Sequence, residues 1–309
     1  MVDGAQVAMA TAVSKTEFKD IDIAVVKATN HDHCTPKEKH VRTIMATIQP
    51  NRPRSEVSYC IGQIIQRMRK ATDWLVVMKC LITLHRILRE GGNLAVDELV
   101  LLRVQGNFLN LHNFKDETDR QTLDLSTWLR TYASFLDEKV AVIGAIEIDV
   151  ELESSGGHSH TRNWNVEELM DRLPKLQMLM RRVIGCCPAE KSAAETERVV
   201  GVALNMVIKE SFKLYRAIYD GIINLLDRFF DMNKTSAVKG LEMYKTSAKQ
   251  AQELMDSYHR VRTLEACMMV QFPDLELPDP SLLSNMEEYV KNLSTGGGGS
   301  IAPASTRSS

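Results

Sequence analysis

Apolar residues recur along this chain three or four positions apart, which is the spacing of an amphipathic helix, and no stretch alternates convincingly as a strand does. Proline and glycine clusters and capping residues divide the pattern into segments. The sequence therefore predicts an all-α fold. Its predicted helices run over about 20–30, 36–48, 55–71 and 74–90, from 93, from about 123 past 142, from 165, and over about 193–232, 235–266 and 282–293.

Two of these predicted helices stand out. In the first, WLVVMKCLITLHRILRE at 74–90, apolar residues cover nearly all sides, so we expect it to be the buried centre of the N-terminal half. In the second, the apolar period barely pauses from Ala193 to Met232. A helix of that length is unusual in a globular protein and favours an extended rod or a stacked superhelix over a compact ball.

Capping residues predict where several helices begin. Asp73 is placed to cap the helix that starts at Trp74. Thr35-Pro36-Lys37-Glu38 and Asn165 with Glu168 both match the capping-box pattern. A further proline, Pro174, should kink the helix that follows Asn165.

Composition shifts divide the chain. Residues 1–19 are weakly patterned, and we expect them to be flexible and not to insert into a bilayer as an amphipathic helix. The polar segment Glu151–Asn163 should connect an N-terminal half, about 20–150, to a C-terminal half, about 164–293. Residues 294–309 are rich in Gly and Ser and predict a flexible tail, the beginning of a longer disordered one.

The composition, with 44% hydrophobic and 25% charged residues, is typical of soluble globular proteins. Six cysteines without a C-x-x-C pair favour a reducing compartment, the cytosol. The most apolar run, Trp74–Leu84, is too short to span a bilayer. Any membrane contact is therefore expected to be peripheral.

Charge is unevenly distributed along the chain. Between Ile23 and Lys70 there are nine basic residues and three acidic ones, whereas the whole chain has a net charge of −2. Within this region Lys27, Lys37, Lys39 and His40 surround a predicted helix start, where the helix dipole also favours an anion. We interpret the cluster as a binding site for a polyanion, and Glu38 as a capping residue.

Other functions compete with the binding of a polyanion. His31 with His33 and His158 with His160 lack partners at metal-ligand spacing, so no metal or cofactor is expected. There is no Gly-rich phosphate loop and no nucleophile elbow, which argues against an enzyme. Nucleic-acid binding is the serious alternative for the basic region, although Tyr59 is its only aromatic residue. A third alternative is a protein-interaction superhelix, in which the lysines are incidental.

The chain resembles the ANTH domain of the clathrin-assembly adaptors, and it is most similar to plant members. Lys27, nine further residues and Lys37-Glu38-Lys39-His40 fit the family's phosphoinositide-binding signature, and the resemblance covers about residues 20–293. Three longer segments also carry it: DWLVVMKCLITLHRIL, LDLSTWLRTYASFLDEK and DGIINLLDRFFDM.

The resemblance implies a right-handed α-α superhelix of about ten helices in a cytosolic, non-enzymatic endocytic adaptor. It implies that Lys27, Lys37, Lys39 and His40 bind phosphatidylinositol 4,5-bisphosphate, with Glu38 at a position where the family often has a basic residue. The implied locations are the plasma membrane, clathrin-coated pits and vesicles, and the Golgi.

Two protein partners are also implied by the resemblance. Clathrin heavy chain would be recruited mainly through a long tail of which this chain carries little. Leu225-Leu226 and Leu282-Leu283 look like coat-binding peptides, but they lie in predicted helices, where core packing is the favoured role. A vesicle SNARE would bind a groove in the C-terminal half, where Leu226 and Ala251 occupy contact positions, the latter smaller than the family pattern.

Overall fold

The computed structural model describes residues 18–106, 108–154, 156–276 and 279–294. Within these ranges the chain forms α-helices and three short 3-10 helices but no strand, which confirms the all-α prediction. The expected flexible ends fall almost wholly outside the described residues. The α-helices found in the described part of the chain are α1 Lys19–Ala28, α2 Glu38–Thr47, α3 Arg54–Lys70, α4 Trp74–Glu90, α5 Gly92–Val104, α6 Arg120–Ile146, α7 Val166–Gly185, α8 Arg198–Phe229, α9 Lys234–Val261 and α10 Pro280–Ser294.

The largest differences from the predicted bounds lie at three helix ends. The long helix α8 begins at Arg198, because residues 193–195 form a separate 3-10 turn and the Glu197 side chain caps α8 by accepting from the Val199 N–H. Helix α6 begins at Arg120, earlier than predicted, because Asp119 and Thr122 make a capping box. The C-terminal end of α9 is at Val261, earlier than predicted, and another 3-10 turn, Glu265–Cys267, follows it.

Helix α4 is the centre of the N-terminal half, as predicted. Its side chains are buried almost throughout, and they include the polar residues Lys79, Thr83 and His85. The helix contacts α2, α3, α5 and α6 in this half and α8 in the other. Asp73 caps it as expected, since its carboxylate accepts from the Leu75 N–H at 2.7 Å.

The C-terminal half is built from α7, α8 and α9, which contact one another, with α10 packed on α9. The predicted capping box at the start of α7 is confirmed, because Asn165 accepts from the Glu168 N–H and Glu168 accepts from the Asn165 N–H. Pro174 lies inside α7, which continues on both sides of it.

Helices that are consecutive in the sequence contact one another in both halves. They stack along the chain as an α-helical superhelix.

Charged side chains join the two halves in the interior. Glu210 of α8 is bonded to His85 of α4 and accepts from Lys139 Nζ of α6 at 2.8 Å. The same ammonium donates to Glu151 at 2.6 Å, and Glu151 also accepts from Arg89 Nε at 2.6 Å. We call these five residues the junction network. It ties α4, α6, α8 and the connector together, so bonds between buried ionisable groups hold the halves together as well as apolar contacts do.

None of the helices in the described ranges is both long enough and apolar enough to cross a lipid bilayer.

Candidate functional site

The four predicted ligands lie on two neighbouring helices. Lys27 is in the last turn of α1, Lys37 directly precedes α2, and Lys39 and His40 are in its first turn. Since α1 packs on α2, the loop between them brings the end of one helix close to the start of the other. The three lysine side chains are exposed and the imidazole is half-buried. We call these four residues the lysine cluster.

The charges of the three lysines act on His40. The pKa of His40 lies below its ordinary value because the ring is partly buried and because Lys27, Lys39 and Lys37 repel its charged form. Charges separated by much more than a Debye length would not have this effect in water. The structure therefore brings all four residues into one positively charged region.

The lysines differ in what they already bind. Lys37 Nζ donates to the Asp32 carboxylate at 2.8 Å, and the Asn30 amide donates to the same oxygen at 2.6 Å. Both bonds lower the pKa of Asp32, and the bond from Lys37 has the larger effect. Lys27 and Lys39 have no ion pair or side-chain hydrogen bond to any residue that the structure describes. Both ammonium groups are thus available to an incoming anion.

The predicted capping box at the start of α2 is wrong. The helix begins at Glu38, its N-cap is Lys37, and no side chain caps it. Glu38 instead accepts from Arg86 Nη1 of α4 at 2.7 Å and pairs with Arg42. Glu38 binds the guanidinium and not a backbone N–H at the helix start, because charge-assisted hydrogen bonds are stronger. The first-turn amides of α2 consequently carry no side-chain cap, and the positive end of its dipole lies beside the lysines.

Two basic side chains, one fully buried and one half-buried, hold the loop between α1 and α2, and neither was predicted to belong to the site. Lys79 of α4 donates to Asn30 O at 2.8 Å, Asn30 Oδ1 at 2.9 Å and Asp32 O at 2.6 Å. Arg67 of α3 donates to Thr29 O at 2.7 Å. The signal in the sequence was a lysine at the centre of an otherwise apolar helix, because a buried ammonium needs acceptors from another segment.

The second predicted site is a cavity of about 220 Å³ in the C-terminal half. Both Leu226 and Ala251 line it, so the structure brings these two predicted residues together. Isoleucines of α8 form much of its apolar wall, while Ser247, Gln250 and Asp279 supply polar atoms. The cavity is concave and its lining is mainly apolar, as in grooves that take up the apolar face of a helix.

Three of the four histidines in the two His-x-His pairs lie beside carboxylates. His158 Nδ1 lies 3.1 Å from the Asp220 carboxylate, and His160 Nδ1 lies 2.9 Å from Glu153. In the N-terminal half, His31 lies 3.9 Å from Asp73. No group of three or more metal-ligating side chains is found among the residues that the structure describes.

Comparison with known proteins identifies the family. The ANTH domain profile matches residues 20–292, so the chain belongs to the ANTH domain family. Two Arabidopsis thaliana proteins, both provisionally named clathrin assembly proteins, are each 44% identical to it. The alignments, over 284 and 289 residues, cover 89% and 91% of this chain but 49% of each relative. The chain thus spans about half the length of these relatives.

Solved structures support the same fold. The ENTH domain of epsin-2, solved in complex with phosphatidylinositol 4,5-bisphosphate, superposes with a TM-score of 0.58 at 16% identity, covering 87% of this chain and 98% of that one. A chain from helical ANTH and ENTH tubules on membranes containing the same lipid gives 0.59 at 17% identity, covering 87% and 99%. At such identities the likeness establishes the helical superhelix fold.

Proposed function

We propose that this chain is a peripheral membrane module that binds phosphatidylinositol 4,5-bisphosphate through Lys27, Lys37, Lys39 and His40. The observation that carries the proposal is that three exposed ammonium groups and a half-buried imidazole lie at the end of α1 and the start of α2, two helices that pack on each other. The ANTH family membership supports it, as do relatives named as clathrin assembly proteins. Its role would be that of an endocytic clathrin adaptor, not of an enzyme.

The number of charges in the lysine cluster sets the expected strength of lipid binding. Each lysine at an anionic membrane surface contributes about 1 kcal/mol, so three lysines and a partly charged His40 give about 3–4 kcal/mol, which corresponds to about millimolar affinity. A headgroup with several phosphates gains more, because it accepts charge-assisted bonds from several donors at once. One domain should therefore bind reversibly, and stable residence requires further contacts within a coat.

The same geometry disfavours nucleic acid as the ligand. Binding single strands requires exposed aromatic rings on which bases stack. Tyr59 is the aromatic residue of the basic region, but its hydroxyl donates to Asp22 and its ring stacks on Phe18 with centroids 4.4 Å apart. That ring is already engaged, so the basic region attracts phosphate but has no tyrosine, tryptophan or phenylalanine ring free for a base to stack on.

Clathrin heavy chain is proposed to bind mainly outside the ANTH domain, as the resemblance to the clathrin-assembly adaptors implies. The leucine pairs support this, since Leu225 is fully buried and Leu226 lines the C-terminal cavity. Leu282 lines the same cavity, and Leu283 is packed against the core. Neither pair is presented as an extended peptide.

The C-terminal cavity supports a second role, the binding of a vesicle SNARE helix. Leu226 and Ala251 face a common space whose wall also includes three isoleucines and three tyrosines. The small side chain of Ala251 leaves room that a larger residue would fill. Replacement of Ala251 by Met should therefore tighten binding of a vesicle-SNARE peptide by added apolar contact, and Leu226→Ser should weaken it. Titration of a fluorescent peptide would measure both, and unchanged affinity in both variants would remove the cavity from this role.

The sites of action proposed from this function are the cytosolic faces of the plasma membrane, of clathrin-coated pits and vesicles, and of the Golgi. Vesicle pelleting with and without phosphatidylinositol 4,5-bisphosphate, beside an RNA mobility-shift assay at the same salt, tests the lipid proposal. We expect binding that depends on the bisphosphorylated lipid and negligible RNA binding. Equal binding to vesicles with and without this lipid would support a protein-interaction superhelix instead.

A further inference from the structure

Lys79 is a buried cation whose bonds reach out of the core to the loop that carries the lysine cluster. The residue is at the centre of α4 and has no exposed surface. Three oxygens of Asn30 and Asp32 accept from its ammonium at 2.6–2.9 Å. A buried ammonium is stable only when such acceptors surround it, so the position of Lys79 and the conformation of the loop depend on each other.

The loop in turn sets the spacing of the lysine cluster. Lys27 lies three residues before Asn30, and Lys37 lies five residues after Asp32. Asp32 is fixed twice, because its carbonyl oxygen accepts from Lys79 and its carboxylate accepts from Lys37 at 2.8 Å. A continuous set of bonds therefore leads from the interior of α4 through Asp32 to Lys37 at the surface.

We propose that Lys79 is a positioning residue of the lipid site: by holding Asn30 and Asp32 it keeps Lys27 on α1 and Lys37 before α2 at a separation that one headgroup can bridge. The inference rests on the proposed lipid binding. Lys79 itself does not contact the headgroup, because its side chain is completely covered. Its contribution is preorganisation, which reduces the ordering that a ligand would otherwise have to impose.

The location of the acceptors separates this role from general stabilisation. Asn30 is half-buried and Asp32 is exposed, so water can replace the ammonium at the loop once Lys79 is changed. Methionine has a similar length and no charge, so it removes the cost of burying the ammonium together with the three bonds that the ammonium donates. Lys79→Met should therefore loosen the loop more than it destabilises the fold.

A matched control exists in Lys139, a second buried lysine, which binds Glu151 and Glu210 in the junction network. For Lys79→Met we expect at least about a fivefold loss of affinity for vesicles containing phosphatidylinositol 4,5-bisphosphate, the contribution of one surface lysine. Faster hydrogen exchange at residues 29–36 should accompany it. For Lys139→Met we expect a larger drop in melting temperature but unchanged vesicle affinity when binding is measured below the melting transition.

Thr83→Val provides a second control, because Thr83 is buried on α4 and its hydroxyl donates to the Lys79 carbonyl within the helix. Thr83→Val should leave vesicle affinity and hydrogen exchange at residues 29–36 unchanged. It therefore serves as a control even if Lys139→Met does not fold. Wild-type vesicle affinity and wild-type exchange at 29–36 in Lys79→Met would overturn the inference. If Lys37→Glu with Lys39→Glu still abolished binding in that case, the lipid site would stand and only the role of Lys79 would fail.

Discussion

His40 differs from the other residues of the lysine cluster because its charge changes near neutral pH. Partial burial and the charges of Lys27, Lys39 and Lys37 lower the pKa of His40 below the ordinary value of 6.5. In the absence of a ligand the ring is therefore mainly neutral at pH 7. A bound phosphate would favour the charged ring, so binding should be coupled to proton uptake.

This coupling predicts the pH dependence of binding. As the pH falls from about 7.5 toward 5.5, affinity for vesicles containing phosphatidylinositol 4,5-bisphosphate should rise more in the wild type than in His40→Gln, because only the wild type gains a cation at this position. The lipid phosphates also titrate, so both proteins must be measured on the same vesicles by pelleting. An identical pH profile for the two proteins would show that His40 gains no charge on binding.

Glu38 shows what the sequence could and could not predict at this scale. Thr35-Pro36-Lys37-Glu38 has the pattern of a capping box, and a local pattern cannot reveal that Arg86, far away in the chain, lies against Glu38 at 2.7 Å. The four residues of the lysine cluster were recognisable because they are close in sequence. Lys79 was not assigned to the site because its role depends on a contact with a loop 47 residues away.

At the scale of the helices, the two capping boxes give opposite expectations. Thr35→Ala should change the free energy of unfolding by less than about 0.5 kcal/mol, because Thr35 does not cap α2. Asn165→Ala should reduce it by about 1 kcal/mol, because the Asn165 side chain accepts from the Glu168 N–H at 2.9 Å. Urea unfolding measures both. A loss for Thr35→Ala as large as that for Asn165→Ala would restore the capping box at α2.

The helices themselves were predictable because the apolar period of each buried face is local. Helix α4 was recognised from apolar residues on nearly all its sides, and the burial of its side chains confirms that interpretation. The helix ends were less predictable. The 3-10 turn at 193–195 resembles helix in sequence, and it depends on a tertiary contact in which Ala193 N donates to the Asp124 carboxylate at 2.6 Å.

At the scale of the whole molecule, the junction network couples the stability of both halves to pH. Burial, together with the nearby charge of Glu210, raises the pKa of Glu151 to about 8 from an ordinary 4.5. Between these values the native state binds more protons than the unfolded state does. The contribution of Glu151 to stability is therefore present at low pH and is lost as the pH rises through about 8.

Glu151→Gln should remove this contribution, because the amide keeps the shape of the protonated carboxyl group but does not titrate. We expect the melting temperature of the wild type to fall more steeply than that of Glu151→Gln as the pH is raised from 5 to 9. Glu190→Gln serves as the control, since Glu190 is exposed and should leave the wild-type slope unchanged. Parallel slopes in all three proteins would contradict the assignment of a proton to the junction network.

Positive charge is concentrated in one region of the molecule. The basic region around α1 and α2 contrasts with a chain whose net charge is −2, so one part of the surface should face an anionic membrane. The lysine cluster would be the part that touches the lipid. Lys37 and Lys39 flank Glu38 at the start of α2, where the N-terminal end of the helix dipole adds to their attraction for phosphate.

The most direct test is the binding of Lys37→Glu with Lys39→Glu to vesicles with and without phosphatidylinositol 4,5-bisphosphate at physiological salt. A matched control is Lys234→Glu with Lys239→Glu, which makes the same charge change at exposed positions of α9. We predict that the first variant loses binding to the bisphosphorylated lipid while its helicity and melting temperature match those of the wild type, and that the control binds normally. Normal binding by the first variant, or equal loss in both, would contradict the assignment of the lipid site to the lysine cluster.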